Sequence, residues 1–243
     1  IGTSIANGCE LQLEYFKPGH IWEEDTKVFE QQINMRVGGL KKTVHKISAE
    51  INSLERLGLT TMSKVVLLAA DNAASKACAN ELKKNIEQIF GLAKQNIEIK
   101  RIKGLQVHDV KSLKEQGFRE LVTTILAYLT DDNLNYQYDL ILNPTGGYKG
   151  VIPFVTVLGM LYGKRSVYIF EHAEQLINLP PLPFSFDIDI YNRVVPALKR
   201  IDEQTAIAEQ EYYACIIDYT EQEKPLFTSF IEPIGDNMVT ISP

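Results

Sequence analysis

YDLILNPTGGYKGVIPFVTVLGMLYG, residues 138–163, decides the fold. Its first five residues are an apolar, β-prone run and read as a strand. Residues 150–163 are apolar at nearly every position and read as a helix. Between them, NPTGGYKGV (143–151) packs two glycines and a lysine into a strand-to-helix turn. Outward from this unit, KVVLLAAD (64–71) is a continuous apolar run of the kind buried on both faces of a sheet. IEIKRI (97–102) and RSVYIFE (165–171) are further strands, and IGTS (1–4) is read as the end of a strand cut off by the chain start. Helices fit between them at 43–57, 73–91 and 110–130. In the first, Val44, Ile47, Ile51, Leu54 and Leu57 recur at helical spacing and Gly58 is the stop. Residues 8–40 are irregular apart from a helix within WEEDTKVFEQQI.

Strand and helix alternating with short joins predict an α/β fold: a Rossmann-like, doubly wound and mainly parallel sheet with helices on both faces. LINLPPLPFSFD (176–187) breaks that rhythm with three prolines. The expected division is a ligand-binding domain at 1–175 and a small helix-hairpin appendage at 176–243. The appendage would hold a helix at 190–217 and a hairpin in LFTSFIEPIGDNMVTIS that turns at Gly-Asp-Asn.

Composition bounds the function. The 243 residues are 45% hydrophobic and 23% charged, with a net charge of −6. That charge excludes bulk attraction to nucleic acid or acidic membranes, so an RNA partner would have to be gripped locally. Cys9, Cys78 and Cys215 are far apart and odd in number, which fits a reducing cytoplasm rather than a disulfide framework. Neither a metal nor a cofactor is expected, since no His/Cys spacing suggests zinc. Residues 151–163 fall well short of the roughly 18 apolar residues a membrane span needs. The chain opens on Ile1 rather than Met and stops abruptly at TISP, so a truncated chain is expected, with any effector domain outside it.

Ligands of open α/β sheets sit beyond the carboxyl ends of the strands. Two loops there have suitable chemistry: Gly2-Thr3-Ser4 and Asn143 to Gly150. In the second, Gly146 and Gly147 allow close approach to the backbone and unusual dihedrals. A helix starting near Tyr148 would aim its free N–H groups at the loop. Lys149 adds a mobile cation, and Asn143 and Thr145 add short polar groups. Together these make an anion site, most naturally for phosphate. The Walker and G-x-G-x-x-G patterns are both absent. On the loop alone, a tight connection with a solvated lysine is as good a reading, and Ser4 or Thr3 could cap a helix instead.

GTS, KISAEINSLERL, VVLLAADN, KGLQVHD and above all ILNPTGGYKGVIPF resemble the CARF family, the CRISPR-associated Rossmann-fold sensors. The resemblance covers residues 1 to about 172. It implies a homodimer that binds a cyclic oligoadenylate, the messenger of type III CRISPR systems, across its two-fold axis. Carried over as ligand residues are Ser4, Thr145, Gly146, Gly147 and Lys149, with Asp71, Asn72 and Gln106 as weaker candidates. Gly2, Thr3 and Asn143 belong to the same two loops, and Tyr148 is placed to stack on an adenine. A cyclic tetra-adenylate is the first expectation, with the hexa-adenylate open.

Three functional classes follow from the resemblance. The chain is a sensor for an effector lying elsewhere, or a metal-independent ring nuclease using Ser4 and Lys149, or a transcription regulator with a winged-helix tail. The last ranks third because residues 201–223 are strongly acidic. Arg101/His108 and Arg165/His172 match the spacing of a HEPN ribonuclease but fall on strands, and Asp218, Glu223 and Lys224 read as a solvated charged turn. A Rossmann-like enzyme acting on another phosphorylated small molecule is the reading from outside the family.

Overall fold

The computed structural model describes residues 4–15, 17, 19–39, 46–169, 175–179, 187–216 and 219–242. The chain divides into two compact units, residues 1–183 and 184–243.

The first unit opens with a 3-10 turn at Ser4–Ala6, so within the described residues the chain start is not a strand; Gly2 and Thr3 lie outside them. Two helices follow, α1 (Gln12–Tyr15) and α2 (Lys27–Gly38). Helix α3 (Ala49–Leu57) is shorter than the periodicity at 43–57 suggests. Ser48 stops it on the N-terminal side by capping: its side chain accepts from the Ile51 N–H, a cap worth ~1 kcal/mol. Ile47 is therefore buried but outside the helix, and Val44 lies outside the described residues. Gly58 ends α3 at φ 70°, the left-handed conformation that glycine adopts without strain.

Strands β1 (Val65–Ala70) and β2 (Ile97–Ile102) pair in parallel, from Val65 opposite Ile97 to Ala70 opposite Ile102. Helix α4 (Ala73–Phe90) crosses between them and packs on both. Its buried face is built from small residues, Ala74, Ala77 and Cys78, with Leu82 and Ile86. Those residues let the helix lie close to the sheet, and they share a core with Ile5, Ile33, Ile51 and Leu67.

The helix expected at 110–130 is present but composite. Helix α5 (Val110–Ser112) runs through a π-helical stretch at Leu113–Gly117 into α6 (Phe118–Leu129). The π turn falls where Gly117 passes directly over the Gly104 carbonyl, leaving no room for a Cβ. Helix α7 (Asp132–Gln137) leads to β3, which pairs over Ile141–Leu142 instead of the expected five residues. Helix α8 (Ile152–Leu161) returns to β4 (Arg165–Tyr168), which is parallel to β3. Gly159 brings α8 close to β4, because a Cβ there would meet the Ser166 hydroxyl.

Strand β5 (Ile177–Leu179), inside the stretch read as a break, pairs antiparallel with β4. The unit is thus mixed α/β. Among the described residues its hydrogen bonds draw a parallel β1-β2 pair and a mixed β3-β4-β5 sheet.

In the second unit the long helix expected at 190–217 is divided. Helix α9 (Ile188–Gln204) starts on the Asp187 cap and stops at Thr205, whose φ is 69°. The chain then pairs β6 (Ile207–Ala208) with β8 (Met238–Ile241), burying Ile207, before α10 (Glu209–Ala214). Burial of Ile207 in a strand outweighs continuing a helix already weakened by Pro196.

Residues Lys224–Thr228, read as part of a hairpin strand, form helix α11 with Pro225 in its first turn. The hairpin is β7 (Ile231–Gly235) and β8, turning through Asp236 and Asn237 at φ 49° and 56°. The sheet order is β6-β8-β7, over a core of Val194, Ile201, Tyr212, Phe227 and Val239.

Candidate functional site

The loop 143–151 is held from three sides. The Asn143 carboxamide oxygen accepts from the Thr145 N–H at 3.3 Å, turning the chain out of β3. The Asn143 amide donates to the Ser53 hydroxyl of α3 at 2.8 Å. The Thr145 hydroxyl accepts from the Ile169 N–H beyond β4 at 3.1 Å. Gly147 takes φ 121°, a conformation closed to most side chains. The Tyr148 ring folds back over Gly150, where a Cβ would strike it, and remains 42% exposed. Lys149 opens a 3-10 turn, so the α-helix proper begins at Ile152, later than the expected start near Tyr148. The lysine is exposed and, among the described residues, has no hydrogen-bond or ion-pair partner.

Gly146 has a different use from the one its sequence suggests. A Cβ there would fall onto the Glu50 carboxylate, so the group that approaches this backbone is a side chain of the protein itself. Glu50 is 7% exposed, in the first turn of α3, where a negative charge is favoured. The Ser4 hydroxyl donates to Glu50 Oε2 at 2.9 Å and accepts from the Ala49 N–H at 3.1 Å. Ser4 therefore does cap a helix, but it is α3 rather than the 3-10 turn it begins. Helix α3 is the organiser. Glu50 joins Ser4 to the glycine loop, and Ser53, one turn on, holds Asn143 and donates to the Glu50 carbonyl.

The weaker candidates belong to a second network. Asp71 accepts from the Gly104 N–H at 2.9 Å and pairs with Arg101, clasping the turn after β2. Arg101 also pairs with Glu23, whose carboxyl it holds below the usual range, and lies over the Trp22 ring. The Asn72 side chain caps α4 by accepting from the Ser75 N–H. Gln106 sits half-buried in the Gly104 turn, its N–H donating to the Gly104 carbonyl. Among the described residues no hydrogen bond links Asp71, Asn72 or Gln106 to the loop 143–149.

Glu50 and Ser53 were not foreseen as site residues, although a signal exists. In the stripe Ile47, Ile51, Leu54, position 50 lies on the apolar face at i+3 from Ile47. A carboxylate there must be buried with a partner.

Among the described residues no three His, Cys, Asp or Glu side chains group as a metal site, and no helix is long and apolar enough to cross a membrane. Of the HEPN and nuclease readings, His172 and Asp218 lie outside the described residues. Glu223 is engaged by Arg193 at 2.9 Å.

None of the curated proteins compared with the chain matches it. The profile of one family, described as CRISPR-associated protein (Cas_APE2256), matches residues 45–182, more than half of the chain. The match spans Glu50, the glycine loop and β5. The chain belongs to the CRISPR-associated protein (Cas_APE2256) family.

Proposed function

We propose that residues 1–183 are a CARF-type, Rossmann-like sensor that binds a cyclic oligoadenylate, cyclic tetra-adenylate foremost, at a homodimer site in type III CRISPR defence. The observation that carries this reading is the meeting of Ser4 and the NPTGGYK loop on α3, with the Lys149 cation in that loop exposed and unpaired among the described residues. A glycine backbone, a cation and short hydroxyls suit the phosphates and riboses of such a ring. Helix α8 supports the dimer: Phe154, Val157 and Leu161 are exposed on it, with Tyr162 just beyond its end, and a second copy is the natural cover. A two-fold ligand fits two copies of one loop.

Cleavage of the ring is the alternative. A ribose 2′-oxygen would attack the adjacent phosphorus, the P–O5′ bond would break, and a cyclic 2′,3′-phosphate and a free 5′-hydroxyl would result. Ser4 would orient the attacking hydroxyl and Lys149 would stabilise the charge that develops on the phosphate. Transcription control is a further reading. The order α9, β6, α10, α11, β7, β8 with sheet order β6-β8-β7 is that of a winged helix. Against DNA stand Glu209 and Glu211 in α10 and a five-residue α11 with Lys224 as its one cation.

The test is incubation of the chain with cyclic tetra-adenylate and with cyclic hexa-adenylate in EDTA, following complex and products by chromatography. Intact ligand on a dimer is the expected result. Linear products with cyclic-phosphate ends would move the assignment to the ring nuclease. Absence of binding to either ring would end it.

A further inference from the structure

The geometry points to Glu50 as a positioning residue that fixes the Ser4 hydroxyl as a hydrogen-bond acceptor, so that Ser4 reads a ribose hydroxyl of the ligand. This inference rests on the cyclic oligoadenylate reading. A hydroxyl has one proton to give and two lone pairs to receive with. The proton of Ser4 goes to Glu50 Oε2 and one lone pair takes the Ala49 N–H. A carboxylate offers acceptor oxygens and no proton, so the first of these bonds cannot reverse. What remains on the half-buried Ser4 is a single lone pair. It can receive an O–H and cannot donate to a phosphate oxygen. Phosphate recognition is then left to Gly147 and Lys149, and Ser4 recognises the sugar.

Three observations hold Glu50 to this task. It is 93% removed from solvent, so its bond to Ser4 is little disturbed by water. It sits in the first turn of α3, whose N-terminus is capped by Ser48 and therefore fixed. It lies against Gly146, the one residue type at that position that leaves space for it. Ser4 is thus oriented by the same carboxylate that sets the height of the glycine loop.

The experiment measures association and dissociation rates of cyclic tetra-adenylate and of its 2′-fluoro analogue over immobilised full chain. Fluorine keeps the sugar pucker but cannot donate. The wild-type chain is expected to prefer the natural ring by about tenfold, the scale of one hydrogen bond left unmade in a site. Glu50→Gln, whose amide can donate to Ser4 and reverse the bond, should bring the two affinities within about twofold, as should Ser4→Ala. If Glu50→Gln melts too low to measure, Glu50→Asp, which withdraws the carboxylate by one methylene, replaces it with the same expectation.

A wild-type chain that binds both rings equally well overturns the assignment of Ser4. Glu50 variants that keep the full preference overturn the role of Glu50. A wild-type chain that binds neither ring refutes the ligand reading itself, and this inference with it.

Discussion

The two units differ most in charge. Residues 1–183 carry 21 Lys and Arg against 20 Asp and Glu, whereas residues 184–243 carry four against eleven. The acidity of the chain is therefore a property of its C-terminal quarter, and the unit with the candidate site is close to neutral. Net charge calculated over the whole chain hides this, and with it the ease with which a polyanion could approach the loop 146–149. The units also differ in how they use their polar side chains. In the first, Glu50, Ser53 and Asn143 are spent on holding loops, while Lys149 has no partner among the described residues. In the second, charged groups close on one another around an aromatic core, as Arg193 does on Glu223 and the Phe227 ring.

The contrast breaks most sharply at Phe227. This ring is fully buried, and Tyr212 donates its hydroxyl to the Phe227 carbonyl. Phe227→Ala should cost the second unit about 3–5 kcal/mol and leave ring binding by the first unchanged. Urea titration by circular dichroism, beside a binding assay, reads both. Equal loss of affinity would show that the units do not work apart.

Next in size is Lys149→Ala, which should weaken cyclic tetra-adenylate binding by about ten- to a hundredfold while the melting temperature stays within a degree or two of wild type. Unchanged affinity would remove the lysine from the site. Gly146→Ala should follow, at about 1–3 kcal/mol of stability, because the new methyl displaces Glu50. Its mark is a loss in the first unit alone, reported by the emission of Trp22, the one tryptophan of the chain.

These residues also show what could be read ahead of the structure. The parallel β1-β2 pair, α4, α8 and the hairpin turn at Asp236-Asn237 were legible, because each rests on local pattern: apolar runs, helical spacing, a Gly-Asp-Asn turn. Strand β5 was not, since INL gains its pairing from β4 and its own residues carry no alternation. The end of α9 was missed because the competing partner, β8, lies more than thirty residues further on. At the candidate site, the glycine loop and Ser4 were singled out by their place after apolar runs and by the family resemblance. Their connection through Glu50 was not, because a carboxylate in a helix reads as solvated until the packing of that face is known.

The smallest effect expected is in acid, and it separates the units again. The Glu223 carboxyl is pulled down to about 2, first by the hydrogen bond from Arg193 and then by the N–H and hydroxyl of Thr220. A carboxyl whose folded value lies below its unfolded one stabilises the fold above the unfolded value, and that contribution is lost as the pH falls from about 4.5 towards 2. Glu223→Gln should therefore lower the melting temperature of the second unit slightly at neutral pH and flatten its decline across that acid window. Trp22, Arg101 and its partner Glu23 all belong to the first unit, so tryptophan emission should follow the wild-type acid curve in the variant. Circular dichroism would change while tryptophan emission does not. A parallel change in both signals would mean that the acid response of the chain is shared, and that the charge asymmetry between the units does not divide their stability.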